Sequence, residues 1–329
     1  MMARRLYGFL LLACMIWALP LMADAQAGWK VYHAAAFDVS YPANFTVKPS
    51  LKSPLSAQRF ASIFFVSPNG KVTFYATTNA LEQAADIALK PTTETLVSTK
   101  TEKKDATAED TGAEYELYRY TWQTIRAKDG RYTRALVIVS DARDNRKYDQ
   151  AVLGIQYADD ASYQQYRAAY LTFKNSLKSR RYHAGSFGVV LPPGFTARPS
   201  LHPGNTPGGP VISAFFTSPD KKAEFYAYYP WSMEDAVDYR LQPKTEALVS
   251  RTQKTENTKL FGKSLVTRQT IRAKDGSYTR QVLDMKQEDD AAVFYHATFG
   301  FKYRDQATYA RYAEEYRIMQ QSMELYHWD

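Results

Sequence analysis

The chain has 329 residues, too many for one ordinary hydrophobic core and enough for two. Its apolar share of 45% and charged share of 23% exclude a disordered chain. The net charge of +8 suits an acidic protein, anionic envelope polymer or lipid surface, and is also common among exported proteins.

The N-terminus has the form of a leader. Arg4 and Arg5 precede a mostly apolar run from Leu6 to Met22, and Ala25-Gln26-Ala27 offers a small-x-small cleavage site before Gly28. Residues 1–27 are therefore expected to be a signal peptide, and the mature protein periplasmic or extracellular. A retained anchor, or lipidation at Cys14 after Leu11-Leu12-Ala13, is the competing reading. Cys14 is the only cysteine, so cleavage leaves none for a disulfide, a thiolate metal site or a cysteine nucleophile. Cleavage also lowers the net charge to +7, because two arginines and one aspartate go with it.

From Tyr32 the chain runs twice through one pattern. Phe37-Asp38-Val39-Ser40-Tyr41-Pro42 and Phe187-Gly188-Val189-Val190-Leu191-Pro192 read as short strands stopped by proline. Hairpins follow at Ser67-Pro68-Asn69-Gly70 and Ser218-Pro219-Asp220. Asn79 with Glu82, and Ser232 with Asp235, place a cap oxygen three residues before a carboxylate and predict helix starts. Pro91 or Pro243, inside the shared text Pro-x-Thr-Glu-x-Leu-Val-Ser, would end or kink each helix and could sit in the first turn of another. Thr99–Gly112 has no period and reads as a strand edge or surface loop.

The strongest repeat is Gln123–Arg134, QTIRAKDGRYTR, returning as QTIRAKDGSYTR at Gln269–Arg280. Asp-Gly between extended runs predicts a tight hairpin, either a type I turn with a bulge or a type I′ turn. Strands at Ala151–Tyr157 and Ala292–Tyr303 come next. Closing helices follow, with stripes Tyr163, Tyr166, Tyr170, Phe173, Leu177 and Tyr309, Tyr312, Tyr316, Met319, Met323 at steps of three and four. Two tandem domains, 28–179 and 180–329, are expected to share a fixed interface because so little chain joins them. The fold class expected is α+β, each domain an antiparallel sheet packed with helices as an α/β/α sandwich.

The pattern resembles the PsbP-like family, named for the extrinsic subunit of photosystem II. The resemblance lies in Phe37-x-Val39 with Pro42 and Phe45, the hairpin Phe65-Val66-Ser67-Pro68-Asn69-Gly70, and Tyr170-x-x-Phe173-x-x-Ser176-Leu177. The second half matches at Phe187, Val189, Pro192, Phe195, Ser218-Pro219 and Tyr316-x-x-Met319-x-x-Ser322-Met323. It implies a non-catalytic binding or assembly factor. The tandem arrangement departs from that family's single domain, and none of its metal-binding residues can be matched here.

Local catalytic motifs are absent: no G-x-S-x-G, no H-E-x-x-H, no P-loop and no G-x-G-x-x-G. No enzyme activity, cofactor, metal or nucleic-acid partner is expected. The acidic groups Asp159-Asp160 and Glu288-Asp289-Asp290 fit helix starts or turns better than a cation site. Two binding features remain. The hairpin copies carry Arg126, Lys128 and Arg134, and Arg272, Lys274 and Arg280. These form a basic surface if exposed, or solvate a strand face and pair with carboxylates. Tyr228, Tyr229 and Trp231 lie in an aromatic run without a first-half counterpart, and suit an interdomain contact or a sugar or peptide platform. Binding of a protein partner or assistance of assembly at the cell envelope is the leading expectation. Binding of anionic polymer, lipid or glycan is the first alternative, and an enzyme with a site not visible as a local motif the second.

Overall fold

A computed structural model describes residues 28–78, 86–105, 117–141, 151–202, 211–230, 236–287 and 296–325. The expected leader, the helix starts at Asn79 and Ser232, Trp231 and the acidic group 288–290 lie outside these residues.

In the first half, β1 (Trp29–His33) and β2 (Phe37–Pro42) pair with β12 (Lys178–Ser179) in a small sheet. The larger sheet is antiparallel and seven-stranded. Its centre is β7 (Val72–Thr78) and β11 (Ala151–Tyr157). On one side of them lie β6 (Ser62–Val66) and then β3 (Thr46–Pro49). On the other lie β10 (Thr133–Asp141), β9 (Leu117–Ala127) and the edge strand β8 (Glu94–Asp105). A separate hairpin joins β4 (Lys52–Ser53) and β5 (Ser56–Phe60).

The second half repeats this order. Its small sheet is β13 (Arg181–His183), β14 (Phe187–Val190) and β22 (Glu324–Leu325). Its large sheet starts with β15 (Thr196–Pro199), β16 (Ser213–Thr217) and β17 (Ala223–Tyr228). It continues through β21 (His296–Tyr303), β20 (Thr279–Gln287) and β19 (Gly262–Ala273) to the edge strand β18 (Glu246–Thr258).

The repeated dodecamers form the hairpins β9–β10 and β19–β20. Gly130 donates from its N–H to the Ala127 carbonyl at 3.0 Å and has φ 75°, and Gly276 does the same to Ala273. Lys128, Asp129, Lys274 and Asp275 are not among the positive-φ residues, so the turn is type I with a glycine bulge, not type I′. Asp129 and Asp275 accept from the backbone N–H two residues on, which stiffens the turn.

One helix closes each half, α1 (Asp160–Asn175) and α2 (Gln306–Gln321). Asp159 and Asp305 cap them by accepting from the N–H of Ser162 and Thr308. Tyr166, Tyr170 and Phe173, and Tyr312, Tyr316 and Met319, bury the predicted stripe against one sheet face. Smaller clusters lie on the opposite face, around Tyr75, Ile125 and Leu136 and around Phe215, Tyr226 and Tyr239.

The expected α+β class and α/β/α sandwich are corrected by this architecture. The described residues are mostly β, 56% strand against 14% helix, in several antiparallel sheets. Two causes are visible. Of the two readings for the stretch after Thr99, the strand edge holds as far as Asp105, so β8 and β18 run 12 and 13 residues. Around Pro91 and Pro243 the chain makes a turn, closed by Glu94 N–H to Lys90 O and Glu246 N–H to Gln242 O, and not another helix.

Between the halves, Arg180 is buried and its guanidinium spans both. Nη1 donates to Leu191 O, Nη2 to Ala34 O and Ala35 O, and Nε lies 3.0 Å from Asp38 Oδ1. The β4–β5 hairpin meets α2 through Ser56 with Glu314, at 2.5 Å, and through Arg59 with Glu315.

Candidate functional site

The repeated text of each hairpin ends in an arginine that turns inward. Arg134 is 5% exposed, donating from Nη2 to Glu94 Oε2 at 2.5 Å and from Nη1 to Ile87 O at 2.8 Å. Glu94 also accepts from Tyr132 Oη and from the Lys90 N–H. Arg280, Glu246, Tyr278 and Gln242 repeat this arrangement. Burial alone would raise the glutamate pKa values. Hydrogen bonds from backbone, tyrosine and arginine outweigh it, holding Glu94 below its ordinary range and Glu246 at about 2. Each latch ties the hairpin to the turn before the edge strand, so Arg134 and Arg280 serve structure and not a basic surface.

Lys128 and Lys274 are exposed, yet each Nζ donates to a proline carbonyl, Pro91 O or Pro243 O, at 2.7 Å. Arg126 and Arg272 remain exposed on the strands. Tyr228 and Tyr229 are core residues of the second half. Tyr228 is fully buried and packs its ring against His296, while Tyr229 stacks with Phe261. Their buried rings offer no exposed platform.

Sequence reasoning missed a second polar group beside each latch. Asp86 accepts from Tyr75 Oη at 2.7 Å and Ser62 Oγ at 2.6 Å, and Asp238 accepts from Tyr226 Oη and Ser213 Oγ. Burial, strengthened by the adjacent aspartate, pushes both tyrosine phenols well above their ordinary value. The signal was available: Ser62, Tyr75 and Asp86 recur as Ser213, Tyr226 and Asp238 at matching places in the two copies.

The two halves differ on this framework at the residue that follows the aspartate. In the second half Tyr239 follows Asp238 and lies flat on Tyr226, with centroids 4.3 Å apart and ring planes 3° apart. The Arg280 guanidinium stands over the same ring at 4.6 Å. Gly300 leaves it room, since a Cβ there would meet the Tyr239 ring at 2.2 Å. Across the outer edge Lys302 lies 3.8 Å from Glu224 and over the Tyr278 ring.

In the first half the residue after Asp86 is Ile87, and a cavity of about 190 Å³ opens. Phe64, Tyr75, Ile87 and Leu136 form its apolar wall, and Glu94 and Arg134 its polar one. Register places Gly154 opposite Tyr75 as Gly300 is opposite Tyr226, and Gln156 opposite Thr73 as Lys302 is opposite Glu224. Thr73 and Gln156 thus stand where the second half has its ion pair. Lys90 and Gln156, both exposed, mark the mouth. Among the described residues no ring lies over Arg134, and its buried Nε has no partner, whereas Arg280 Nε donates to Glu246 at 2.7 Å.

No family model matches the sequence, and no curated protein matches it. Solved structures give weak fold-level similarity. Cyanobacterial PsbP (CyanoP) from Synechocystis is 7% identical at a TM-score of 0.29, covering 46% of this chain and 93% of its own. The T6SS immunity protein TplEi from Pseudomonas aeruginosa is 6% identical at 0.23, covering 92% of this chain and 99% of its own. The Ran-binding protein Mog1p from Saccharomyces cerevisiae is 8% identical at 0.24, covering 47% and 96%. PsbP thus stands among the structural neighbours, and the resemblance goes no further than that.

Proposed function

We propose that this is an exported, non-catalytic protein that binds a protein partner, with the first-half cavity as the point of contact. The observation that carries the reading is the inequality of the two halves: one framework is plugged by Tyr239 and the other is open at Ile87. Binding is favoured over catalysis by the state of the carboxylates. Glu94 and Asp86 are engaged in ground-state hydrogen bonds, and Glu94 is held below the range of a general acid or base. An anionic-surface module is less favoured, because two of the six hairpin cations are buried and two more donate to carbonyls.

Panning a random peptide library on the purified protein tests this. Selected peptides are expected to lose binding to Ile87→Tyr and to keep it with Tyr239→Phe. Peptides indifferent to Ile87→Tyr, or no selection at all, overturn the reading. Salt-sensitive retention on anionic vesicles that falls with Arg126→Ala and Arg272→Ala would favour the alternative.

A further inference from the structure

We propose that the first-half cavity is a socket for one aromatic side chain of the partner, tyrosine above all, seated between the Tyr75 ring and the Arg134 guanidinium. The inference rests on the reading of this cavity as the partner site and names what enters it.

The second half is the template. There the same sheet positions hold a ring between tyrosine and arginine, supplied by the chain itself as Tyr239 between Tyr226 and Arg280. Stacking on one face and a cation on the other is a favourable setting for a planar π system. In the first half both holders are kept, Tyr75 anchored by Asp86 and Arg134 by Glu94, while the ring is replaced by Ile87. Leu136 and Ile87 reach over Gly154, where a Cβ would meet them at 2.6 and 3.6 Å, so the sheet floor is covered. Arg134, 5% exposed, lines the remaining space with no ring over it among the described residues.

Size and polarity narrow the occupant. At about 190 Å³ the space is smaller than the roughly 300–1,000 Å³ of small-molecule sites, which favours one side chain over a whole cofactor. The charged residues of the lining, Asp86, Glu94, Lys90 and Arg134, sum to zero, which favours a neutral group. Arg134 Nε has no partner where Arg280 Nε donates to Glu246, so the guanidinium of the first half is the less firmly held of the two. The mouth lacks the Lys302–Glu224 pair that closes the second half, so a ring can enter from solvent.

The test uses p-cresol, the tyrosine side chain as a free molecule, against 4-methylcyclohexanol, of similar size but not planar. Titration of the full protein by methyl NMR should show one p-cresol site, with Kd on the order of 1 mM for so small a ligand, read at Ile87 and Leu136. The cyclohexanol should bind at least tenfold more weakly, and Ile87→Tyr should weaken p-cresol at least tenfold. The reciprocal variant, Tyr239→Ile with Glu224→Thr and Lys302→Gln, should raise the stoichiometry from one to two. If it does not fold, the Ile87→Tyr result still decides.

Equal binding of the two probes, or p-cresol binding that survives Ile87→Tyr, overturns the socket. Peptides that depend on Ile87 yet carry no aromatic residue overturn it while leaving the cavity as the partner site. A p-cresol site with no Ile87-dependent peptide overturns the partner reading and this inference together.

Discussion

Arg280 grips Glu246 with two hydrogen bonds, Nε to Oε1 and Nη2 to Oε2, each 2.7 Å, whereas Arg134 holds Glu94 with one, from Nη2 at 2.5 Å. Both pairs are almost fully buried, so removing one charge strands the other. Glu246→Gln is expected to destabilise the protein by roughly 3 kcal/mol, and Glu94→Gln by less. Urea denaturation measures both. Equal losses would contradict the difference in geometry.

Acid should loosen the second-half latch at a defined stage. The folded pKa of Glu246 lies near 2, below its ordinary value of 4.5, so its contribution is complete above pH 4.5 and is lost as pH falls towards 2. The expected observation is a melting temperature that drops over this window in the wild type and drops less in Glu246→Gln. A wild-type and variant difference that stays constant through the window would show that the carboxylate does not titrate as described.

Gly130 and Gly276 sit at φ 75° with nothing within 4 Å of a built Cβ. Alanine there suffers only the backbone cost of the left-handed region, about 1–2 kcal/mol per site. Asparagine should cost less, because it tolerates this conformation. Chemical denaturation of both substitutions at each position checks the order, and a neutral alanine would mean the turn relaxes to another type.

Arg180 is the side chain that bonds backbone carbonyls of both halves, at Ala34 and Ala35 on one side and Leu191 on the other. Arg180→Met removes these donors and leaves the acceptors buried. Calorimetry should then resolve the unfolding into two transitions, one per half. A single transition at the wild-type temperature would show that the Ser56–Glu314 and Arg59–Glu315 contacts hold the halves together without it.

The repeat, both closing helices and the hairpin were legible because each follows from local order. A tyrosine stripe at steps of three and four has only one helical face to fill, and Asp-Gly between extended runs calls for a left-handed glycine. The length of the edge strands was only partly legible. Thr99–Lys103 is polar along both faces, so it carries no alternation to separate a strand edge from a loop. The aromatic run at Tyr226–Tyr229 misled for the opposite reason: both faces of that strand are buried, one under α2 and one under Tyr239.

By itself the sequence determined duplication and a turn chemistry shared by two copies, since both are written in short stretches of chain. Only the tertiary structure decided that Arg134 and Arg280 point inward, because their partners Glu94 and Glu246 lie 40 and 34 residues away. The contrast between Ile87 and Tyr239 is invisible along the chain for the same reason. Whether a ring is present or missing there acquires meaning only once Tyr75, Arg134 and Gly154 are folded around the place it would occupy.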